Sequence, residues 1–228
     1  MPKVVRDELQ KRKSGAVLAG GFIRACIAGE PVSDVDLFVP SKAAASELAD
    51  SLLGPGKRRI ETDNAFTILG HGLPIQVIHR WVFDEPRKIV PSFDFTIACA
   101  AIWWEDDGKW ISACDDRFYP DLAAKRLVYR APDRNEDAGG SILRLLKFYR
   151  RGYQAPLESI AQVVARMLKD VPEVNFQKRE VILSEGGAAE WEKQMGAVLM
   201  GLLREVDPAF DSNLILENGS ASDPEATA

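Results

Sequence analysis

The sequence predicts an α+β fold in which a mixed sheet with helices is followed by a small helical domain. Between residue 16 and about residue 128, short apolar runs alternate with turn-forming Gly, Pro and Asp residues. This pattern is typical of a mixed α/β unit. After about residue 130 the strand-like runs stop, and apolar residues recur at helical spacing. The length of 228 residues fits one globular domain or two small ones.

The first part of the chain predicts strands and helices in alternation. Gly29 closes the first predicted helix, Ser41 caps the second, and Gly54 ends it before a proline. The turn at 70–72 joins two further apolar runs into a strand pair. The predicted elements are strands at 16–19, 34–39, 65–69 and 75–79, and helices at 22–28 and 41–53.

The apolar run at 94–102 fits a central strand or a buried helix, and periodicity does not separate the two. The stretch 131–141, rich in Pro, Asp, Asn and Gly, marks a domain boundary. The expected domains are therefore a head at 1–130, a helical domain at 131–216 and a disordered tail at 217–228. Within the helical domain, apolar stripes predict helices at 142–153, 157–169 and 190–205.

Charge and composition exclude several classes of function. The net charge is −5, with 29 basic and 34 acidic residues, which argues against nucleic-acid binding by the whole surface. No apolar stretch reaches the roughly 18 residues of a membrane span, and the charged N-terminus does not resemble a signal peptide. We therefore expect a cytoplasmic protein without membrane contact. Three cysteines and two histidines give no zinc-site spacing.

Local basic runs remain compatible with an RNA-binding stripe, although each also fits a solvated helix face or loop. These runs are 11–13, 57–59 and the series Arg144, Lys147, Arg150 and Arg151.

The acids Asp34 and Asp36 carry the clearest chemical signal. Side chains alternate along a strand, so both carboxylates project from one face, about 6.6 Å apart along the backbone. Two carboxylates together with substrate phosphate oxygens and water form a common Mg²⁺ site. Such sites polarise phosphoryl groups and activate the attacking hydroxyl.

Gly20 and Gly21 lie upstream, at the turn between a strand and a helix. Glycines there allow close backbone approach, and the helix N-terminus attracts phosphate. Arg24, one turn into the helix, can add positive charge. A lone Gly-Gly is usually only a turn, and a lone Asp-x-Asp is usually a loop or an exposed strand. Their combination, within one strand, helix and strand unit, points to phosphate and metal ligands facing each other.

Four segments in order resemble the class II tRNA nucleotidyltransferase and bacterial poly(A) polymerase family, within the DNA polymerase β-type superfamily. The first is 17–39, with the Gly-Gly turn and the acid pair. The segment FDFTIACAAI at 93–102 is similar to the family's second motif, commonly RRDFTINA. Segments 115–130 and 136–152 resemble the two motifs that follow, with these matches: Asp115, Asp121, Leu122, Lys125, Leu127, Glu136, Asp137, Arg144 and Phe148.

The resemblance implies a five-stranded-type catalytic head, a helical neck and transfer of a nucleoside monophosphate from an NTP, with release of pyrophosphate. The implied acceptor is an RNA 3′ end. By this resemblance Asp34, Asp36 and Asp94 are catalytic, and the first two hold the Mg²⁺ ions of a two-metal site. The residues implied to bind the nucleotide are Gly20, Gly21, Arg24, Asp137 and Arg144.

The chain departs from the family pattern at three places. Ser92 and Phe93 stand where the family has an arginine pair, which removes phosphate-binding charge. Gln76 stands where wider superfamily members carry a third acid. The neck arginine that helps to read the base is Gly140 or Ser141 here. Two alternatives therefore stay open: a protein or small-molecule acceptor, and a non-catalytic relative that binds nucleotide or RNA.

Overall fold

The computed structural model describes residues 1–11, 15–132, 139–169 and 196. The chain divides into two compact units. One consists of Met1–Arg134 with Phe148–Ile160, and the other of Asn135–Lys147 with Ala161–Ala228. Most of the helix expected at 190–205, and all of the tail expected at 217–228, lie outside the described residues.

Seven strands and six α-helices make up the described secondary structure. The strands are β1 Val17–Ala19, β2 Val35–Phe38, β3 Arg58–Glu61, β4 Ala65–Leu69, β5 Ile75–Ile78, β6 Ala100–Trp104 and β7 Trp110–Cys114. The helices are α1 Lys3–Leu9, α2 Gly21–Ala28, α3 Lys42–Leu52, α4 Phe118–Ala123, α5 Gly140–Arg150 and α6 Leu157–Lys169. Two 3-10 segments, Pro86–Ser92 and Thr96–Ala98, lie between β5 and β6.

The strands form one mixed sheet in the order β3-β4-β5-β2-β1-β6-β7. β2 and β5 run parallel, and every other neighbouring pair in the sheet is antiparallel. The α+β class with a mixed sheet is therefore confirmed, with seven strands where the resemblance implied a five-stranded type. No helix in the described part of the chain is long and apolar enough to cross a membrane.

Local capping signals predicted several elements correctly. The Ser41 hydroxyl accepts a hydrogen bond from the Ala44 amide at 3.1 Å and starts α3. Gly29 ends α2 in the left-handed conformation, with φ of 67°. The turn at 70–72 joins β4 and β5 as an antiparallel pair. The helix predicted at 157–169 is α6, and the one predicted at 142–153 is α5, from Gly140 to Arg150.

The run at 94–102 is neither of the two expected alternatives over its whole length. Thr96–Ala98 forms a 3-10 turn and Ala100–Trp104 forms β6. The sequence also gave no clear signal for α1, β3, β7 and α4. β3 has the sequence RRIE, and three of its four positions are exposed, so no alternation between apolar and polar residues marks it as a strand.

The two faces of the sheet bury separate hydrophobic clusters. Strand residues on the first face pack with side chains of α1, α2 and α3, including Val5, Leu18, Phe22, Leu37 and Leu48. On the second face, strand residues that include Val17, Phe38 and Ile78 pack with Ile89 and Val90 of the 3-10 segment Pro86–Ser92. Because side chains alternate along a strand, Asp36 belongs to the second face.

Candidate active site

A row of polar side chains crosses three neighbouring strands near the middle of the sheet. Asp36 of β2 pairs with Gln76 of β5, and Gln76 pairs with Thr67 of β4. Each of the three is half-buried between buried neighbours on its own strand. We call Asp36, Gln76 and Thr67 the polar row. Polar residues in consecutive register on otherwise apolar, buried strands are an exception that points to a candidate ligand site.

Asp34 extends this row at the beginning of β2. It lies one residue before the strand, is half-buried, and accepts a hydrogen bond from the Ser33 hydroxyl at 2.7 Å. The sequence predicted β2 from residue 34, whereas the strand begins at Val35. Asp34 and Asp36 are therefore the two acids that the sheet positions at this point.

The turn at Gly20 and Gly21 lies beside the start of β2, because β1 and β2 pair antiparallel, with Leu18 opposite Leu37. Gly20 has φ of 78°, and its amide donates to the Ala100 carbonyl at 2.9 Å. Gly21 opens α2, and a Cβ there would meet nothing within 4 Å. The open side of this turn is therefore at Gly21.

Phe93 covers Gly20. A Cβ built on Gly20 would lie 2.9 Å from the Phe93 ring, so glycine is required there both for its φ and for this contact. The Phe93 ring also meets Phe38 edge-on, with centroids 5.8 Å apart. An aromatic ring thus lies against the turn at the position where the sequence analysis noted a missing arginine.

Arg24 lies inside the protein. Its side chain is buried, and its guanidinium forms an ion pair with Glu30 at 2.8 Å. The guanidinium also stacks over the Phe148 ring, 4.6 Å from its centroid. The charge of Arg24 was predicted to bind phosphate, whereas in the structure it is paired with Glu30.

Tyr153 completes the same cluster. Its hydroxyl donates to the other Glu30 carboxylate oxygen at 2.7 Å. Burial raises the pKa of Tyr153 to about 12, and the hydrogen bond to the Glu30 carboxylate adds to the rise. We call Arg24, Glu30, Phe148 and Tyr153 the Arg24 cluster. It ties α2 to the segment that follows α5 within the first unit.

Asp94 and Asp121 are both buried, at 2% and 0% exposure. The Asp94 backbone carbonyl accepts from the Arg130 amide at 2.7 Å. The Asp121 carboxylate accepts from the Thr96 hydroxyl at 2.7 Å and forms an ion pair with Arg117 at 3.2 Å. Asp121 therefore joins the 3-10 turn to α4, a structural role that the sequence analysis did not assign.

The two remaining predicted nucleotide ligands belong to the second part of the chain. Arg144 is half-buried on α5, in the second unit. Asp137 lies outside the described residues. The roles of both toward a nucleotide stay predictions.

The donor set of the site fits a hard divalent cation. Asp34 and Asp36 supply carboxylate oxygens, and the Gln76 amide offers a neutral oxygen beside them. The described residues contain no cluster of three or more His, Cys, Asp or Glu arranged to hold a metal ion. Mg²⁺ commonly binds one or two carboxylates and completes its shell with water and substrate phosphate, and this set suits that mode.

Comparison with known proteins gives a family for this architecture. The model of the Gabija anti-defense 2 family matches residues 1–125, more than half of the chain, including the polar row and the Gly20 turn. The chain belongs to the Gabija anti-defense 2 family. No curated protein sequence matches it.

Solved structures with a similar fold are nucleotidyltransferases of tRNA processing. The Thermotoga maritima CCA-adding enzyme complexed with tRNA is 21% identical, with a TM-score of 0.53 over 75% of this chain and 44% of that one. A tRNA-processing enzyme in an apo form is 22% identical, with a TM-score of 0.54 over 75% and 50%. A CCA-adding enzyme in complex with ATP is 21% identical, with a TM-score of 0.52 over 78% and 45%.

These similarities establish the nucleotidyltransferase head fold for this member of the Gabija anti-defense 2 family. At such identities the likeness concerns the fold alone. The chain spans about half the length of the solved proteins it matches.

Proposed function

We propose that this protein is a Mg²⁺-dependent nucleotidyltransferase that moves a nucleoside monophosphate from an NTP to an acceptor hydroxyl. The observation that carries the proposal is the pair Asp34 and Asp36 at the start of β2, beside the Gly20–Gly21 turn. A hard-cation site and a helix N-terminus that attracts phosphate then face the same substrate.

Each part of the site has a distinct task in this proposal. Asp34 and Asp36 hold Mg²⁺, with the Gln76 amide beside them. The bound Mg²⁺ supplies charge neutralisation on the triphosphate and lowers the pKa of the acceptor hydroxyl. The open amides at the start of α2, at Gly21 and beyond, receive a phosphate oxygen. Buried Asp94 supports the site from behind, as a positioning residue.

The chemical step is a displacement at the α-phosphorus. The acceptor oxygen forms a bond to the α-phosphorus, the bond from that atom to the bridging oxygen breaks, and pyrophosphate leaves. The acceptor proton passes to a carboxylate or to water. Because little covalent chemistry is required of the protein, positioning and charge stabilisation account for most of the rate.

We propose an RNA 3′ end as the acceptor, on the strength of one similar structure that contains tRNA. The family name connects the chain to opposition against the Gabija defence, and we infer that the transfer serves this purpose. A protein or small-molecule acceptor is the alternative within the same chemistry, because the likeness to the tRNA-processing enzymes covers 44–50% of their length and concerns the fold alone.

A second candidate function is nucleotide binding without transfer. The contact of Phe93 with Gly20 and the pairing of Arg24 with Glu30 favour it, because both take phosphate-binding capacity away from the site. The amide of Gln76 in place of a third carboxylate points the same way, since a neutral ligand holds a divalent cation more weakly.

The test is label transfer by the purified full chain. Each α-³²P-labelled NTP is incubated in turn with Mg²⁺ and with total RNA, a protein extract or small-molecule metabolites. The products are separated on denaturing gels and by thin-layer chromatography. The comparison variant is Asp34→Ala/Asp36→Ala, and the matched control is Asp7→Ala/Asp63→Ala, which removes two exposed acids outside the site. Circular dichroism checks that all three proteins are folded.

Label in RNA that disappears only in the site variant supports the proposal and identifies the nucleotide. Label in protein or in a small product, with the same dependence, moves the acceptor to the alternative. NTP binding without label in any acceptor supports the second candidate. Equal transfer by the wild type and the folded site variant would contradict the assignment of Asp34 and Asp36.

A further inference from the structure

The two edges of the sheet differ in how they are protected. β3, at one edge, carries Arg58, Arg59 and Glu61 among its four residues. Charged side chains of this kind discourage edge-to-edge pairing. β7, at the other edge, has the sequence WISAC and no charged residue. An uncharged edge strand is a template for a further strand.

Within the part of the chain that the structure describes, backbone groups on the outer side of β7 have no hydrogen-bond partner. The Asp115 amide bonds the Cys99 carbonyl, and the Glu105 amide bonds the Lys109 carbonyl. Antiparallel pairs alternate between bonded and non-bonded, so Ile111 and Ala113 point their backbone groups toward β6. The amides and carbonyls of three residues point outward: Trp110, Ser112 and Cys114. Among the described residues, β7 bonds only β6.

An apolar groove of about 450 Å³ lies beside this edge. Ser112 and Cys114 of β7 form one wall, and α2 and α4 contribute the others. Its rim carries Ile27 and Tyr119, which are 48% and 59% exposed. A strand added along β7 would place alternate side chains on the groove side of the sheet.

The ends of β7 are acidic. Glu105, Asp106 and Asp107 lie in the turn between β6 and β7, followed by Gly108 and Lys109, and Asp115 and Asp116 directly follow the strand. Lys109 pairs with Asp107, and Arg130 pairs with Asp115. Within the described ranges, Asp106 and Asp116 have no ionic partner. A second copy paired antiparallel along β7 would bring Asp116 toward the acids at 105–107, which like-charge repulsion disfavours.

We propose that β7 and this groove bind an extended segment of a partner protein by strand addition. The segment has small or apolar side chains at alternate positions and Lys or Arg at both ends. Main-chain hydrogen bonds supply affinity, the groove selects side chains, and the acidic ends select the flanking charges. This surface does not depend on nucleotidyl transfer.

Fluorescence anisotropy with synthetic probes tests the proposal. The probe is a labelled peptide of alternating Thr and Val with two lysines at each end, and its control carries glutamates at the ends. The key variant is Ser112→Pro, because proline removes one outward amide and leaves the bonds to β6 intact. Ser112→Ala is the matched control, since it removes the hydroxyl and keeps the amide.

We expect the full-length protein to bind the lysine-flanked probe at least tenfold more tightly than the glutamate-flanked one. Ser112→Pro should weaken binding of the lysine-flanked probe by about tenfold or more, because one main-chain hydrogen bond is lost and the proline ring keeps the peptide at a distance. Ser112→Ala should change the affinity by less than about twofold. Asp106→Lys/Asp116→Lys abolishes the preference for the lysine-flanked probe. Transfer activity stays unchanged in all of these variants.

Each of the following results would overturn the proposal. One is failure of the wild-type chain to bind either probe at protein concentrations of about 1 mM. Another is a dimer, detected by sedimentation, that Ser112→Pro dissociates, since β7 would then bind a second copy. Binding that is equal for Ser112→Pro and Ser112→Ala also counts against the edge, because the probe would then lie elsewhere.

Discussion

The two halves of the candidate site use their charged residues differently. In the acidic half, Asp34 and Asp36 are half-buried at the start of β2. In the glycine half, Phe93 covers Gly20, and Arg24 is buried against Glu30 and Phe148. The acids of the first half are only half-buried, whereas the charge of the second half lies inside the protein and holds the fold together.

The difference indicates that neighbouring parts of the sequence have different roles, the acids in binding a ligand and Arg24 in stabilising the fold. Carboxylates kept partly open are suited to a metal and its substrate. A buried guanidinium with a carboxylate partner is a structural element whose removal leaves an uncompensated charge. We therefore expect substitutions in the acidic half to change activity, and substitutions in the glycine half to change stability first.

Asp36→Asn should have the largest effect, which is on transfer activity. It removes one of the two carboxylates proposed to bind Mg²⁺ and conserves shape, so we expect transfer to fall by about a thousandfold or more. The free energy of unfolding should change by less than about 1 kcal/mol, because the side chain is only half-buried. Steady-state transfer assays and urea titration measure the two effects. A large loss of stability would mean that Asp36 belongs to the scaffold.

Arg24→Leu should affect stability most strongly. It leaves the partly buried Glu30 carboxylate with only the longer ion pair to Arg151, at 3.9 Å. We expect the free energy of unfolding to fall by about 2 kcal/mol. Arg24→Lys should lower the free energy of unfolding by about 1 kcal/mol, because it keeps the charge and loses the stacking on Phe148. Urea unfolding measures both.

The control for these variants is Arg6→Leu. Arg6 pairs with Asp7 at 3.6 Å, and both side chains are about half exposed. The change in the free energy of unfolding should therefore be close to zero. If Arg24→Leu keeps wild-type stability but loses NTP binding, then Arg24 serves the ligand, and the division between the two halves is wrong.

Phe93→Arg places a positive charge beside the Gly20 turn and so tests whether the glycine half can bind phosphate. We expect NTP to bind about tenfold more tightly, since a guanidinium beside the Gly20 turn can contact phosphate. Fluorescent ATP analogues measure the affinity. Phe83→Arg is the matched control, because Phe83 meets the same Phe38 ring at 6.0 Å. Equal effects of the two arginines would show that only the added net charge matters.

The smallest expected effect is a loss of folding stability at alkaline pH. Folding raises the pKa of Tyr153 from its ordinary value of 10.0 to about 12, so the folded state holds this proton more tightly. The resulting stability is fully present below about pH 10 and is lost as the pH rises toward 12. Tyr153→Phe removes the hydroxyl and should flatten this part of the profile, by about 1 kcal/mol.

Urea unfolding of the wild type and Tyr153→Phe, at matched pH values between about 8 and 12, gives the measurement. The difference between the two proteins cancels the titration of lysines. Parallel profiles would indicate that the hydroxyl does not form its bond to Glu30 in solution.

Several features of the site were predictable from local sequence. The alternation of side chains in β2 places Asp36 on the second face of the sheet, with Asp34 one residue before the strand. The Gly-Gly turn predicts the start of α2. Local capping also predicted α3, because Ser41 reaches an amide only three residues away. Thr67 was missed, because one polar residue in an apolar strand carries no chemical signal until its register with Gln76 is known.

The sequence by itself determined the α+β class, the acid pair and the glycine turn, because each depends on residues close together in the chain. Only the tertiary structure decided that Phe93 lies on Gly20, that Tyr153 reaches Glu30, and that β7 forms an uncharged edge. These outcomes depend on packing and strand order between residues far apart in sequence, and local periodicity carries no information about which distant partners meet.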